Sequence, residues 1–136
     1  MRLIFIAPVL ICVCDLFEGD IEIAVEKDLN GQVVKAHGHF DFVLRRGNKA
    51  VCIVEAKNDI NQGMALDLVG CEVAAELGGL DIVYGIVTDY IKWILLRSLN
   101  DKVEKDECVL VTTQDGPTEE SLKEIAEKIY GMLSNE

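Results

Sequence analysis

The chain has 136 residues, half of them hydrophobic, and its 24 acidic against 13 basic side chains give a formal net charge of −11. That length supports one domain, residues 1–136, and is too short for two, while the apolar content excludes a disordered chain. The acidic balance argues against a protein that coats nucleic acid with a basic face, and five cysteines with two histidines and no Cys-x-x-Cys pair form no zinc-binding pattern.

Met1-Arg2 followed by the apolar run Leu3 to Val13 resembles the start of a secretory signal. The run is short, carries Pro8, and is followed by no small-x-small cleavage site; it is also too short to cross a bilayer. A buried first helix over residues 3–17, bent at Pro8, is the preferred reading, and no membrane partner is expected. Ile21, Ile23 and Val25 alternate with Glu22, Ala24 and Glu26, the period of a half-exposed strand. Asn30-Gly31 signals a hairpin turn, and the next strand is expected from about Gln32 to Leu44, with a bulge or close approach at Gly38. Arg46 to Lys49 makes a second turn, and Ala50 to Ala56, apolar on both faces up to Glu55, reads as a central strand.

Asn58-Asp59 offers an N-cap for a helix over 60–77, whose Ile60, Met64, Leu68, Cys71 and Ala75 recur at helical spacing; Gly78-Gly79 ends it. Strands follow over 82–88 and 92–99, then a charged loop over 100–107 and a strand over 108–113. Leu122, Ile125, Ala126, Ile129, Tyr130 and Leu133 mark a last amphipathic helix, either packed on the sheet or forming a homodimer seam, with core packing favoured. Trp93 reads as core. A helix between two apolar strands allows those strands to lie parallel. The fold class is α/β, a mixed central sheet flanked by helices.

Charge and chemistry concentrate in one window. Residues 32–58 hold Lys35, Arg45, Arg46, Lys49 and Lys57 against Asp41 and Glu55, a balance of +3 that leaves −14 elsewhere. Glu55 and Lys57 share a strand face. Pairing Arg45 with Val51 across the hairpin, with a five-residue loop over 46–50, sets Asp41 opposite Glu55; a slip of one residue would separate the two acids. In that register Asp41, Glu55 and the Ala56 carbonyl are hard oxygen donors suited to Mg²⁺ or Mn²⁺. Such a metal polarises a scissile phosphate and acidifies a bound water, while Lys57 orients that water or steadies the charge that develops, and Gln62 in the following helical turn reaches the same pocket. The plain structural alternative makes Asp41 and Glu55 solvent-facing strand ends salt-bridged to Lys57. The apolar flanks weigh against it, because a charge in such a setting is costly unless paired or metal-bound. His39 reads as a pocket-rim residue or phosphate contact. Arg45, Arg46 and Lys49 read as a solvated hairpin tip, with contact along a DNA backbone as the alternative.

These residues resemble the PD-(D/E)XK nuclease superfamily. Asp41 matches its aspartate, although Phe40 stands where the proline would be, and Glu55-Ala56-Lys57 matches the (D/E)-x-K element. Ile53-Val54-Glu55-Ala56-Lys57-Asn58 with Gln62-Gly63-Met64-Ala65, then Val83-Tyr84-Gly85-Ile86-Val87-Thr88-Asp89 and Trp93, is similar to the nuclease domains of Crinkler-type effectors and related fungal proteins, over about residues 18–113. The resemblance implies a restriction-endonuclease-like core and a Mg²⁺-dependent endonuclease acting on nucleic acid, DNA before RNA. It implies an intracellular site of action, in nucleus or cytoplasm, or a secreted effector delivered into another cell. Two departures stand out. No acid lies in residues 3–14, where members often carry a first-helix glutamate, so Glu18 or Glu22 would have to replace it; and Leu66 stands where a second glutamine often follows. A chain lacking a metal ligand would be a weak pseudonuclease that serves as an interaction module.

Overall fold

The computed structural model describes residues 2–30 and 37–134, and the side chains of residues 6–24 and 42–134. A six-stranded sheet runs in chain order, from β1 (Ile21–Asn30) through β2 (His37–Arg46), β3 (Lys49–Ala56), β4 (Val83–Thr88) and β5 (Lys92–Ser98) to β6 (Val103–Val109). All neighbours are antiparallel except β3 and β4, which are parallel because α2 (Ile60–Gly78) carries the chain back between them. The helix α1 (Arg2–Asp15) precedes the sheet, and the small hairpin of β7 (Thr112–Thr113) and β8 (Gly116–Pro117) leads into α3 (Glu119–Ser134). The expected α/β architecture of a mixed sheet flanked by helices is the one observed.

Strand alternation sorts the apolar side chains into two layers. Phe42, Leu44, Cys52, Val54, Tyr84, Ile86, Trp93 and Leu95 pack with Ile6, Leu10 and Val13 of α1 and Ile125, Ile129 and Leu133 of α3. Val43, Ile53 and Val83, then Val87, Ile94 and Leu96, pack under α2. The central strands are apolar on both faces because helices cover both. Trp93 is core, and α3 is a core helix, as its periodicity indicates.

Helix α2 packs through its expected stripe, with Ile60, Met64 and Leu68 against Val87, Ile94 and Leu96 and with Cys71 and Ala75 in the Val43 and Ile53 cluster, but its most deeply buried side also includes small residues. The residues it buries are Gly63, Asp67, Gly70, Cys71, Val73 and Ala74, whereas Leu66 and Val69 are exposed and Met64, Leu68 and Ala75 only partly buried. Small side chains let the helix lie close on the sheet: a methyl built on Gly63 would meet Val87 Cγ1 at 2.7 Å. Its ends are as expected. Asp59 caps the start through the backbone N–H groups of Asn61 and Gln62 at 3.0 and 3.2 Å, and Gly79 closes the end in the left-handed region at φ 62°.

Other expectations are corrected. The β1–β2 ladder keeps one register from Ile21↔Arg46 to Asn30↔His37, with Leu29 facing Gly38, so no bulge sits at Gly38; the glycine is accommodated in a plain ladder. Asn30 ends β1, while Gly31 of the expected turn and Lys35 lie in residues 31–36, outside the described residues. The region read as a charged loop over 100–107 is mostly β6, an edge strand whose side chains are almost all exposed, so no apolar alternation marks it. The strand expected over 108–113 reduces to the end of β6 and the two residues of β7.

Candidate functional site

The β2–β3 hairpin decides whether the acids meet. Phe42 faces Val54, Val43 faces Ile53 and Leu44 faces Cys52, the register expected on the site side. A bulge between Leu44 and Arg45 then shifts the ladder, so Arg45 pairs with Ala50 and Arg46 with Lys49. The five-residue loop over 46–50 is therefore replaced by a two-residue turn, with Gly47 at φ 65° supplying its left-handed residue. One β-bulge absorbs the difference between the tight turn and the register that the strands' buried faces demand. One step beyond Phe42↔Val54, that ladder sets Asp41 against Glu55.

Glu55 sits at the C-terminal end of β3, only 1% exposed, on the face that α2 covers. Lys57 follows the strand; its Nζ stands 3.8 Å from Glu55 Oε2 and its side chain is 35% exposed. The ammonium thus bridges a buried carboxylate and solvent. The backbone N–H of Lys57 donates to the Thr88 carbonyl at 3.0 Å, extending the parallel β3–β4 pairing past Ala56↔Thr88. The first turn of α2 rests on the Lys57 stem, since a methyl on Gly63 would lie 3.4 Å from Lys57 Cβ. The two strand ends open where a parallel pair meets a helix start, the usual place for a site in α/β sheets.

The remaining predicted residues divide. Ala56 ends β3, with Gln62 exposed in the first turn of α2. The side chains of Asp41 and His39 lie outside the described residues, and their backbones belong to β2. Glu18 and Glu22 are exposed and are not brought to the site: Glu22 faces Arg45, four ladder positions from Asp41, or about 13 Å along the strand. Arg46 is corrected from hairpin tip to structural tie. Its Nε donates to Asp20 Oδ2 at 2.7 Å, its Nη2 to the Leu133 carbonyl at 3.3 Å, and its guanidinium lies 5.8 Å from the Phe17 ring centroid. Among the described residues no three potential metal-ligating side chains form a cluster.

Two residues escaped the sequence reading. The continuous β1–β2 register puts Glu26 opposite Asp41, between Val25↔Phe42 and Lys27↔Phe40, so that Glu26, Asp41 and Glu55 occupy one level of three adjacent strands. The signal was present, because Glu26 continues the polar phase of Glu22 and Ala24. The second is Asp67 of α2, with no exposed surface. Its Oδ1 accepts from the Cys71 thiol at 3.3 Å, and its Oδ2 is buried without a hydrogen bond among the described residues. Burial pushes the Asp67 carboxyl well above its ordinary 3.8; the Glu55 charge adds to the rise, while the Cys71 bond and the Ile86 backbone amide oppose it. Burial, then Asp67 itself, likewise raise the Cys71 thiol, which stays a protonated donor. Gly85 makes the room: a methyl there would collide with Asp67 Oδ1.

Comparison with known proteins adds one relationship. The chain is 50% identical over 134 residues to Crinkler effector protein 5 of Phytophthora infestans, an alignment covering 98% of this chain and 38% of that protein. The similarity supports a Crinkler-type relationship, and this chain corresponds to well under half of that relative's length. No family model matches the chain, and no solved structure matches it.

Proposed function

We propose that the chain is a metal-dependent nuclease domain of the PD-(D/E)XK type, cleaving phosphodiester bonds, DNA foremost, with an effector role. The observation that carries this reading is Glu55, a 1% exposed carboxylate at a strand end with the Lys57 ammonium 3.8 Å away, in a hairpin register that brings Asp41 opposite. A carboxylate buried in an apolar layer is costly unless it is paired or metal-bound. The chemistry of the donors fits a hard cation: Glu55 and Asp41 carboxylates and the Ala56 carbonyl would hold Mg²⁺ or Mn²⁺. When bound, the ion supplies Lewis acidity toward a phosphate oxygen and a water. Lys57 then contributes a fixed ammonium at the phosphate, held in place through its backbone bond to Thr88 and the packing of α2 on its stem. The effector context comes from the name of the relative, and delivery into another cell after secretion is part of the proposal.

The test is cleavage of plasmid DNA in Mg²⁺ or Mn²⁺ by the wild-type chain, Glu55→Gln and Lys57→Met, with circular dichroism confirming that each is folded. The expected loss is roughly 10²-fold or more for each variant. Equal rates in all three, or none in any, would refute the assignment.

A second reading, a catalytically weak interaction module, is favoured by the way basic side chains are occupied. Arg46, Lys92, Arg97 and Lys128 are each bound to a carboxylate of the same chain, which limits the cations left for a phosphate backbone. Calorimetry with Mn²⁺ separates the two readings, since heat of binding abolished by Glu55→Gln belongs to the nuclease alone.

A further inference from the structure

On the α3 side of the sheet, outside the layer that covers Glu55, a groove joins the end of β6 to α3. Val109 and Val111 are 50% and 53% exposed there and line a concavity of about 530 Å³. The polar groups of its floor are already used: Ser121 Oγ accepts from the Val111 N–H at 3.0 Å and from the Thr118 hydroxyl at 2.8 Å. A partner therefore meets apolar valine faces and, along the wall, Glu120, Glu124 and Glu127, spaced i, i+4, i+7 as one stripe of α3. Lys123 is the cation at this rim.

These glutamates differ from the acids beside them. On the neighbouring edge strand every carboxylate is matched. Glu104 is 3.0 Å from Arg97 and 3.5 Å from Lys102, Asp106 is 3.0 Å from Lys128, and Glu107 is 3.3 Å from Lys92 and 3.8 Å from Lys105. Glu120, Glu124 and Glu127 reach no cation at such distances among the described residues. A row of carboxylates held in no close ion pair, of which Glu124 acts on Lys128 only at longer range, lies over exposed valines and is complementary to a chain that is both cationic and aliphatic. A nucleic acid or an anionic bilayer would be repelled here, and a second copy would bring a body of net charge −11.

We propose that this groove docks a basic, aliphatic-bearing peptide segment of another protein. Its aliphatic side chains cover Val109 and Val111, and its lysines or arginines meet Glu120, Glu124 and Glu127. The proposal is independent of the nuclease reading, because no residue of the Glu55 site takes part.

The test uses fluorescence anisotropy with a short labelled peptide of alternating leucine and lysine, beside a serine–lysine and a leucine–glutamate peptide. The leucine–lysine peptide should bind one to one, at least about tenfold more tightly than either control. Combined Glu120→Gln, Glu124→Gln and Glu127→Gln should weaken it by a similar factor, and so should Val111→Ser, while Glu55→Gln leaves it unchanged. Undiminished binding to the triple glutamine variant would overturn the proposal, as would equal binding of the serine–lysine peptide, which would reduce the effect to overall charge.

Discussion

Replacing Asp67 by asparagine isolates the proton that the folded core holds beside the candidate site. The group is fully buried and its carboxyl is raised well above 3.8. In the unfolded chain it ionises near its ordinary value of about 3.9. Between that pH and the folded pKa, the native state binds one more proton than the unfolded state. Stability from this group is therefore fully present at low pH and is lost as pH rises through the window, at about 1.4 kcal/mol per pH unit until the folded pKa is reached. The substituted side chain cannot titrate, keeps the shape of the carboxyl, and retains an oxygen to accept the Cys71 thiol. Its amide N–H group, placed where Oδ2 now lies without a hydrogen bond, adds a pH-independent cost of about 1–3 kcal/mol. The offset and the slope are thus separable. Urea denaturation of wild type and Asp67→Asn at pH 5, 6 and 7, with EDTA present to exclude metal, should show the wild type losing its advantage as pH rises, by at most about 1.4 kcal/mol per unit. Parallel stability curves would refute the buried-proton argument.

Two further outcomes follow from the same packing and register. Gly85→Ala should cost about 1–3 kcal/mol, because its methyl collides with Asp67 Oδ1, and the cost should shrink in a background of Asp67→Ala; additive losses in a denaturation double-mutant cycle would disprove the coupling. Glu26→Gln should weaken Mn²⁺ binding, measured by calorimetry, by at least about tenfold while leaving the melting temperature nearly unchanged, and undiminished affinity would remove Glu26 from the site.

Much of this molecule was readable from its residues because the signals were local. The α2 cap at Asp59 and stop at Gly79, the amphipathic spacing of α3, and the doubly apolar β3 and β4 are each set by neighbours within a few positions. The strand register around Phe42 and Val54 was also legible, since a one-residue slip would turn buried side chains outward. What failed was non-local. The bulge at Arg45 reconciles a turn with a register, and β6 is a strand only because β5 offers it a hydrogen-bonding edge, its own side chains being mostly exposed. Asp67 stands three residues after Met64 and four before Cys71, on the apolar stripe of α2, but the spacing does not say that Gly85 of β4 leaves space there for a carboxyl. By itself the sequence determined which segments become helices and inner strands and which two charges, Glu55 and Lys57, share a strand face. Only the tertiary structure decided which acids stand level across β1, β2 and β3 and which one is sealed beneath α2, because burial and facing positions belong to pairs of elements that chain spacing alone does not bring together.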